Sequence, residues 1–154
     1  MKVAFVNPFL QAASEVLESE LGGDSARGEL RLHRSAVTTD EVTAIVGVTG
    51  TLTGLVLYSM NEATARAILS RMMRQDFSEF DALAQSGIGE LGNVITGRAG
   101  VLLSEAGYPS NITPPAVVVG TGTMVTTLEL NRLVLPLHTE VGNLEIQMVL
   151  RAAA

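Results

Sequence analysis

The sequence has no cysteine. That absence excludes disulfides, thiolate nucleophiles and cysteine-ligated zinc. Histidine is almost as scarce: His33 and His138 are the only two. Each falls in a strand-like stretch, which makes a weak case for a metal and points to structural roles. Positive charge is short as well, with 10 Lys and Arg against 16 Asp and Glu for a net charge of −6. Nucleic-acid binding needs a basic face and a polybasic membrane patch needs clustered cations, so neither is expected. No apolar run approaches the ~20 residues of a membrane span. The opening "MKVAFVNPFL" has one basic residue and an apolar run broken at Asn7-Pro8, too short for a secretory signal. A cytoplasmic protein is expected. Phosphate-binding loops are missing too: Gly120-Thr121-Gly122 lacks the third glycine and the following helix, and no Walker lysine is present, so a turn or bulge is expected there. No internal repeat is visible in the sequence.

What is present suits one domain over residues 1–154. The chain is 47% hydrophobic and 17% charged, enough to build a packed core. Asn7 reads as an N-cap with Pro8 at the first helical position. Phe9, Ala13, Val16, Leu17 and Leu21 then recur at helical spacing up to Gly22-Gly23, giving a helix over about 8–21. A loop-like segment follows over 21–30, with a short strand near 29–34 left open. Two β-branched runs around Thr49-Gly50-Thr51 read as a hairpin, and 61–75 as a helix with Met72 and Met73 packing inward. A long helix spans roughly 80–106 and closes near Gly107. Beyond it "NITPPAVVVGTG" gives a proline stop and a strand. The last segment is a hairpin around Val141-Gly142-Asn143, with Pro136 marking an edge or a bulge. The order α-β-β-β-α-α-β-β-β predicts an α+β fold, an antiparallel sheet with a long helix and two further helices packed on it.

The long helix carries the chemistry. Within "SGIGELGNVITGRAG", residues 86–100, Ser86, Glu90, Asn93, Gly97 and Gly100, with Ser104 beyond, fall within about ±40° of one line at 100° per residue. Ala84, Ile88, Leu91, Ile95, Ala99 and Leu102 fall opposite and are expected in the core. Each helical glycine costs about 1 kcal/mol against alanine. Two readings explain so many of them: close packing of the helix on its neighbours, or clearance for a partner's backbone. Gly87, Gly89 and Gly92 lie off the polar line and fit packing. Gly97 and Gly100 lie on it and fit approach.

The same stretch resembles the signature of the CheC/CheX/FliY family of chemotaxis phosphatases. That motif places Glu, two residues and then Asn after an upstream Ser or Asp; here Ser86, Glu90 and Asn93 hold those positions. A proline follows about two dozen residues on, matched by Pro114 and Pro115, and "NPFLQAASEVL" resembles the first helix of CheX members. One copy of the motif is present, which places the chain nearest CheX. The resemblance implies hydrolysis of the aspartyl phosphate of a CheY-like receiver domain. Glu90 would dock on the receiver's active-site lysine and Asn93 would orient the attacking water. Mg²⁺ would come from the receiver, with no cofactor or metal of the chain's own. Gly97 and Gly100 would admit the partner, and Ser86 would either touch it or simply be a small exposed residue. A homodimer formed through strands is also implied, at the final hairpin or the edge near Pro136. The alternative is a non-catalytic adaptor that docks on a receiver or another chemosensory partner.

Overall fold

The fold was analysed in a computed structural model that describes residues 3–33, 37–125 and 131–153. Helix α1 (Val3–Leu21) leads into short strands β1 (Ala26–Arg27), β2 (Arg31–His33) and β3 (Val37–Thr38). The hairpin β4 (Val42–Gly50) and β5 (Leu52–Met60) follows, then α2 (Glu62–Met73) and α3 (Ala82–Glu105). Strands β6 (Ser110–Ile112), β7 (Ala116–Val119) and β8 (Met124–Val125) precede the last hairpin, β9 (Arg132–Thr139) and β10 (Gly142–Ala152). This is the expected α+β architecture, an eight-stranded antiparallel sheet with three helices.

The sheet order is β1-β9-β10-β5-β4-β6, with β2 also on β9 and β7 also on β4. Each edge is thus a strand in two pieces. β3 pairs with β8 in a separate small sheet. The series helix, broken strand, short strand, hairpin occurs twice, from α1 to β5 and from α3 to β10. Each half lends its broken strand to the other: β1 and β2 pair with β9, while β6 and β7 pair with β4. The two halves meet along β5 and β10, Leu52–Met60 against Leu144–Ala152. The duplication lives in topology, which the residue identities do not display.

Alternation sorts the strand side chains between two faces, and over 56–60 of β5 and 146–150 of β10 both faces are buried. Val42, Ala44, Val46, Val48, Val56, Tyr58, Met60, Leu135, Leu137, Leu144, Ile146 and Met148 are buried in one cluster with the apolar sides of all three helices, so period 2 in the strands meets period 3.6 in the helices. None of the helices of the described residues is long and apolar enough to cross a membrane.

One expectation is revised and another is narrowed. Helix α1 begins at Val3 and carries Pro8 inside it, rather than starting at Asn7-Pro8. Proline removes one backbone donor there, but Phe5 and Val6 join the core and the Phe5 ring meets Tyr108 edge-on at 5.1 Å, so burial outweighs the missing bond. At Pro136 the expected edge or bulge is a bulge and not an edge: between Arg27↔Leu137 and Arg31↔Val134 the register shifts by one residue, so Gly28, Glu29 and Leu30 stand opposite Pro136 and Leu135. β9 is flanked by β10 and by the broken pair β1–β2. The Pro136 carbonyl accepts from Gly28 N at 2.8 Å. A residue's N and O point to the same side of an antiparallel strand, so the absent N–H faces the gap between β1 and β2. The other boundaries hold closely. Asn61 caps α2 by accepting from Thr64 N at 2.7 Å, and Asp81 caps α3 by accepting from Ala84 N at 2.9 Å. Met73 is exposed at the end of α2, whereas Met72 packs against the core.

Candidate functional site

Helix α3 lies close on the sheet at Gly89 and Gly92 and close on α2 at Gly87, where an added Cβ would crowd its neighbours. A Cβ on Gly92 would stand 3.2 Å from both the Ala44 Cβ and the Tyr58 ring. One on Gly89 would meet Val117 at 3.3 Å and Pro115 at 3.6 Å, and one on Gly87 would strike the Leu69 side chain at 2.5 Å. These three are packing glycines, as their positions off the polar line predict. Gly97 and Gly100 differ. Gly97 has only Ile112 near, at 3.9 Å, and Gly100 has no atom within 4 Å. Among the described residues no contact requires either to be glycine.

The polar line is present as a surface. Ser86, Glu90 and Ser104 are exposed, and Asn93, Gly97 and Gly100 are half-buried. Ala84, Ile88, Leu91, Ile95 and Ala99 form the opposite, buried side; Leu103 completes it, and Leu102 is only partly buried. Ser86 to Gly97 spans about 16 Å. Among the described residues neither the Glu90 carboxylate nor the Asn93 amide has a hydrogen-bond or ion-pair partner in the chain.

The nearest cation along the helix does not compensate Glu90. Arg98 Nε donates to Glu15 Oε2 at 2.8 Å, on the seam with α1, and Gln11 donates to the same carboxylate at 2.9 Å. The Arg98 and Gln11 hydrogen bonds hold the Glu15 carboxyl below the usual carboxylate range. Arg98 is therefore committed elsewhere.

On its other flank α3 meets the break between β6 and β7. Thr113 hooks that break onto β4: its N–H donates to the Gly47 carbonyl and its Oγ1 accepts from Gly47 N, both at 2.9 Å. This carries Pro114 and Pro115 past the helix, with Pro115 against Gly89. Beneath the motif lies a buried polar chain that the sequence reading did not single out. The Tyr58 hydroxyl is 2.7 Å from Thr96 Oγ1, and Thr96 Oγ1 donates to the Gly92 carbonyl at 2.7 Å. Burial pushes the Tyr58 phenol above its ordinary value. The available signal was a threonine among aliphatic core positions, four residues after a glycine.

His33 is half-buried on β2, and His138 is exposed on β9 with its Nδ1 3.0 Å from Asn143 Oδ1 across the hairpin. Gly120 and Gly122 form a turn with φ of 145° and 74°.

Comparisons with known proteins agree on the family. The family model described as Chemotaxis phosphatase CheX matches residues 42–138, which include the whole motif. A CheY-P phosphatase CheX from Thermotoga maritima is 31% identical over 121 residues, 78% of each chain. A CheC-like superfamily protein from Shewanella sp. PV-4 superposes with a TM-score of 0.89 at 25% identity, covering 99% of this chain and 100% of that one. The CheX-CheY-BeF3-Mg+2 complex from Borrelia burgdorferi contains a chain matching at a TM-score of 0.80 and 25% identity, over 97% of this chain and 99% of that one. The fold, the motif helix and these matches together place the chain in the CheX family of chemotaxis phosphatases.

Proposed function

We propose that this chain hydrolyses the aspartyl phosphate of a CheY-like receiver domain, with Asn93 orienting the attacking water and Glu90 docking on the receiver's lysine. One observation carries the reading. Glu90 and Asn93 stand three residues apart on one polar line of α3, without side-chain partners among the described residues, beside two glycines that no packing among those residues requires. The Borrelia relative was captured with CheY, BeF3 and Mg+2, and the Thermotoga relative is a CheY-P phosphatase, which supports the same substrate class here.

The chemistry suits these side chains. Phosphoryl transfer depends on in-line placement of the nucleophile and on charge stabilisation more than on a strong base. A carboxamide donates and accepts at once, so it can hold a water in a fixed orientation. On this reading Mg²⁺ and lysine belong to the receiver, and the chain contributes one amide on a rigid helix. Glu90 supplies register through a charge pair that strengthens as water leaves the interface. A homodimer, if formed by edge pairing of strands, uses β1–β2 or β6–β7; the final hairpin is already paired on both sides.

The test is phosphate loss from phosphorylated CheY-like receivers with and without the chain. Loss faster than the receiver's own rate is expected. Glu90→Ala is expected to lower kcat/KM about tenfold, mostly through KM. If no receiver loses phosphate faster yet one still binds, the adaptor reading replaces this one. The two open glycines give a second check. Gly97→Ala and Gly100→Ala are each expected to stabilise the chain by up to about 1 kcal/mol while weakening receiver binding. Urea unfolding and titration of the receiver measure the two effects, and unchanged binding in both variants would remove the glycines from the docking face.

A further inference from the structure

Gly89 and Gly92 thin α3 just before Asn93. Glycine is the least rigid helical residue, at about 1 kcal/mol each against alanine. A helix asked to hold one amide still is thus weakest where stiffness matters most. The buried chain from Tyr58 ends at that point. Thr96 has a single hydroxyl proton and gives it to the Gly92 carbonyl. The bond between Tyr58 and Thr96 therefore has Tyr58 as donor, and the order is Tyr58 O–H to Thr96 Oγ1 to Gly92 C=O. The Gly92 carbonyl and the Asn93 N–H belong to one planar peptide unit. Tyr58 is fully buried on β5, a central strand paired on both sides, and its ring lies against Gly92.

We propose that Tyr58 and Thr96 are positioning residues for Asn93, tying its peptide plane to the centre of the sheet. This rests on the reading of Asn93 given above. Neither hydroxyl reaches the surface or the substrate; both act by fixing where the amide stands when the receiver arrives. Hydrogen bonds in series polarise one another in a dry interior, so the chain holds more firmly than one threonine back-bonding to its own helix, an arrangement that by itself tends to bend helices.

The experiment compares Tyr58→Phe, Thr96→Val and Thr96→Ser in the full chain acting on a phosphorylated receiver, with Asn93→Ala alongside. Tyr58→Phe keeps the ring against Gly92 and loses only the hydroxyl. It is expected to lower kcat about tenfold, the cost of a sub-ångström misplacement, with KM within about twofold. Thr96→Val is expected to do the same, and Thr96→Ser to retain most of the rate. Wild-type kcat in Tyr58→Phe, or a loss through KM alone, overturns the proposal. A second readout needs no hydrolysis. The Asn93 backbone amide resonance is expected to shift or broaden in Tyr58→Phe and to stay in place in Thr96→Ser; an unchanged resonance in Tyr58→Phe overturns the tether. Should Asn93→Ala hydrolyse normally, it is the phosphatase role of Asn93 that fails, and the resonance still decides the tether.

Discussion

Asn93→Ala is expected to slow receiver dephosphorylation by at least about a hundredfold while leaving receiver affinity nearly unchanged. The asymmetry follows from the geometry. Asn93 is half-buried, and Glu90 and Ser86 are exposed on the same line of the helix. On the proposed reading Glu90 meets the receiver first and sets register, while the recessed amide adds little contact area. On the same reading its contribution arises when a water must lie in line with the phosphorus–oxygen bond, and an alanine would leave that water unheld. Asn93→Gln makes the argument sharper. It keeps the amide but moves it by a methylene, more than an ångström, and a loss of about the same order is expected because orientation is what is lost. Single-turnover decay of labelled receiver phosphate, with binding followed separately, measures both quantities. Normal decay with Asn93→Ala would end the water-orienting role.

Gly54→Ala is expected to cost about 3–5 kcal/mol of stability. Gly54 lies in the middle of the sheet, opposite Val48 on β4 and Leu150 on β10. Its φ is 151°, in the region that favours glycine, and a Cβ there would run into the Val149 carbonyl and stand 3.1 Å from the Leu150 Cα. The obstacle is backbone on a paired strand, which cannot swing aside as a side chain does. For a domain of this size the loss corresponds to a fall in the thermal midpoint of about 10 °C, readable by calorimetry. A wild-type midpoint would mean that β5 and β10 do not pair in this register.

How much was legible in the sequence depended on how local the cause was. The hairpins at Gly50 and Gly142 announce themselves because a tight turn with φ of 106° or 138° asks for glycine, and α2 and α3 because their apolar residues keep helical period. The motif residues were legible for the same reason: three or four residues apart on one helix is one line. The broken edge strands were legible only in part: the strand expected after Pro114-Pro115 is β7 and the short strand left open near 29–34 is β2, whereas β1 and β6 were not foreseen. β1, β2, β6 and β7 have 2, 3, 3 and 4 residues, too few for a period, and each exists because a strand of the other half offers it hydrogen bonds. The start of α1 was misjudged because Pro8 is a strong local signal overruled by the burial of Phe5 and Val6, a tertiary effect. Tyr58 and Thr96 are 38 residues apart, and no spacing rule links a strand tyrosine to a helix threonine.

The exchange of broken strands between the two halves also governs how the chain can be made. β4 leaves the ribosome with its neighbour β5, but the backbone groups on its far side wait for β6 and β7, 60 to 77 residues later; β1 and β2 wait 99 to 112 residues for β9. Pairings so distant in sequence form slowly, since loop closure must precede any gain from them. A nascent chain ending after α3 would therefore display unpaired strand edges, the usual template for wrong association. The two central hairpins gain neighbours on both sides only when β10 is in place, so synthesis through β10, and not the first half's own stability, sets the moment at which the sheet beneath the motif helix is fully paired.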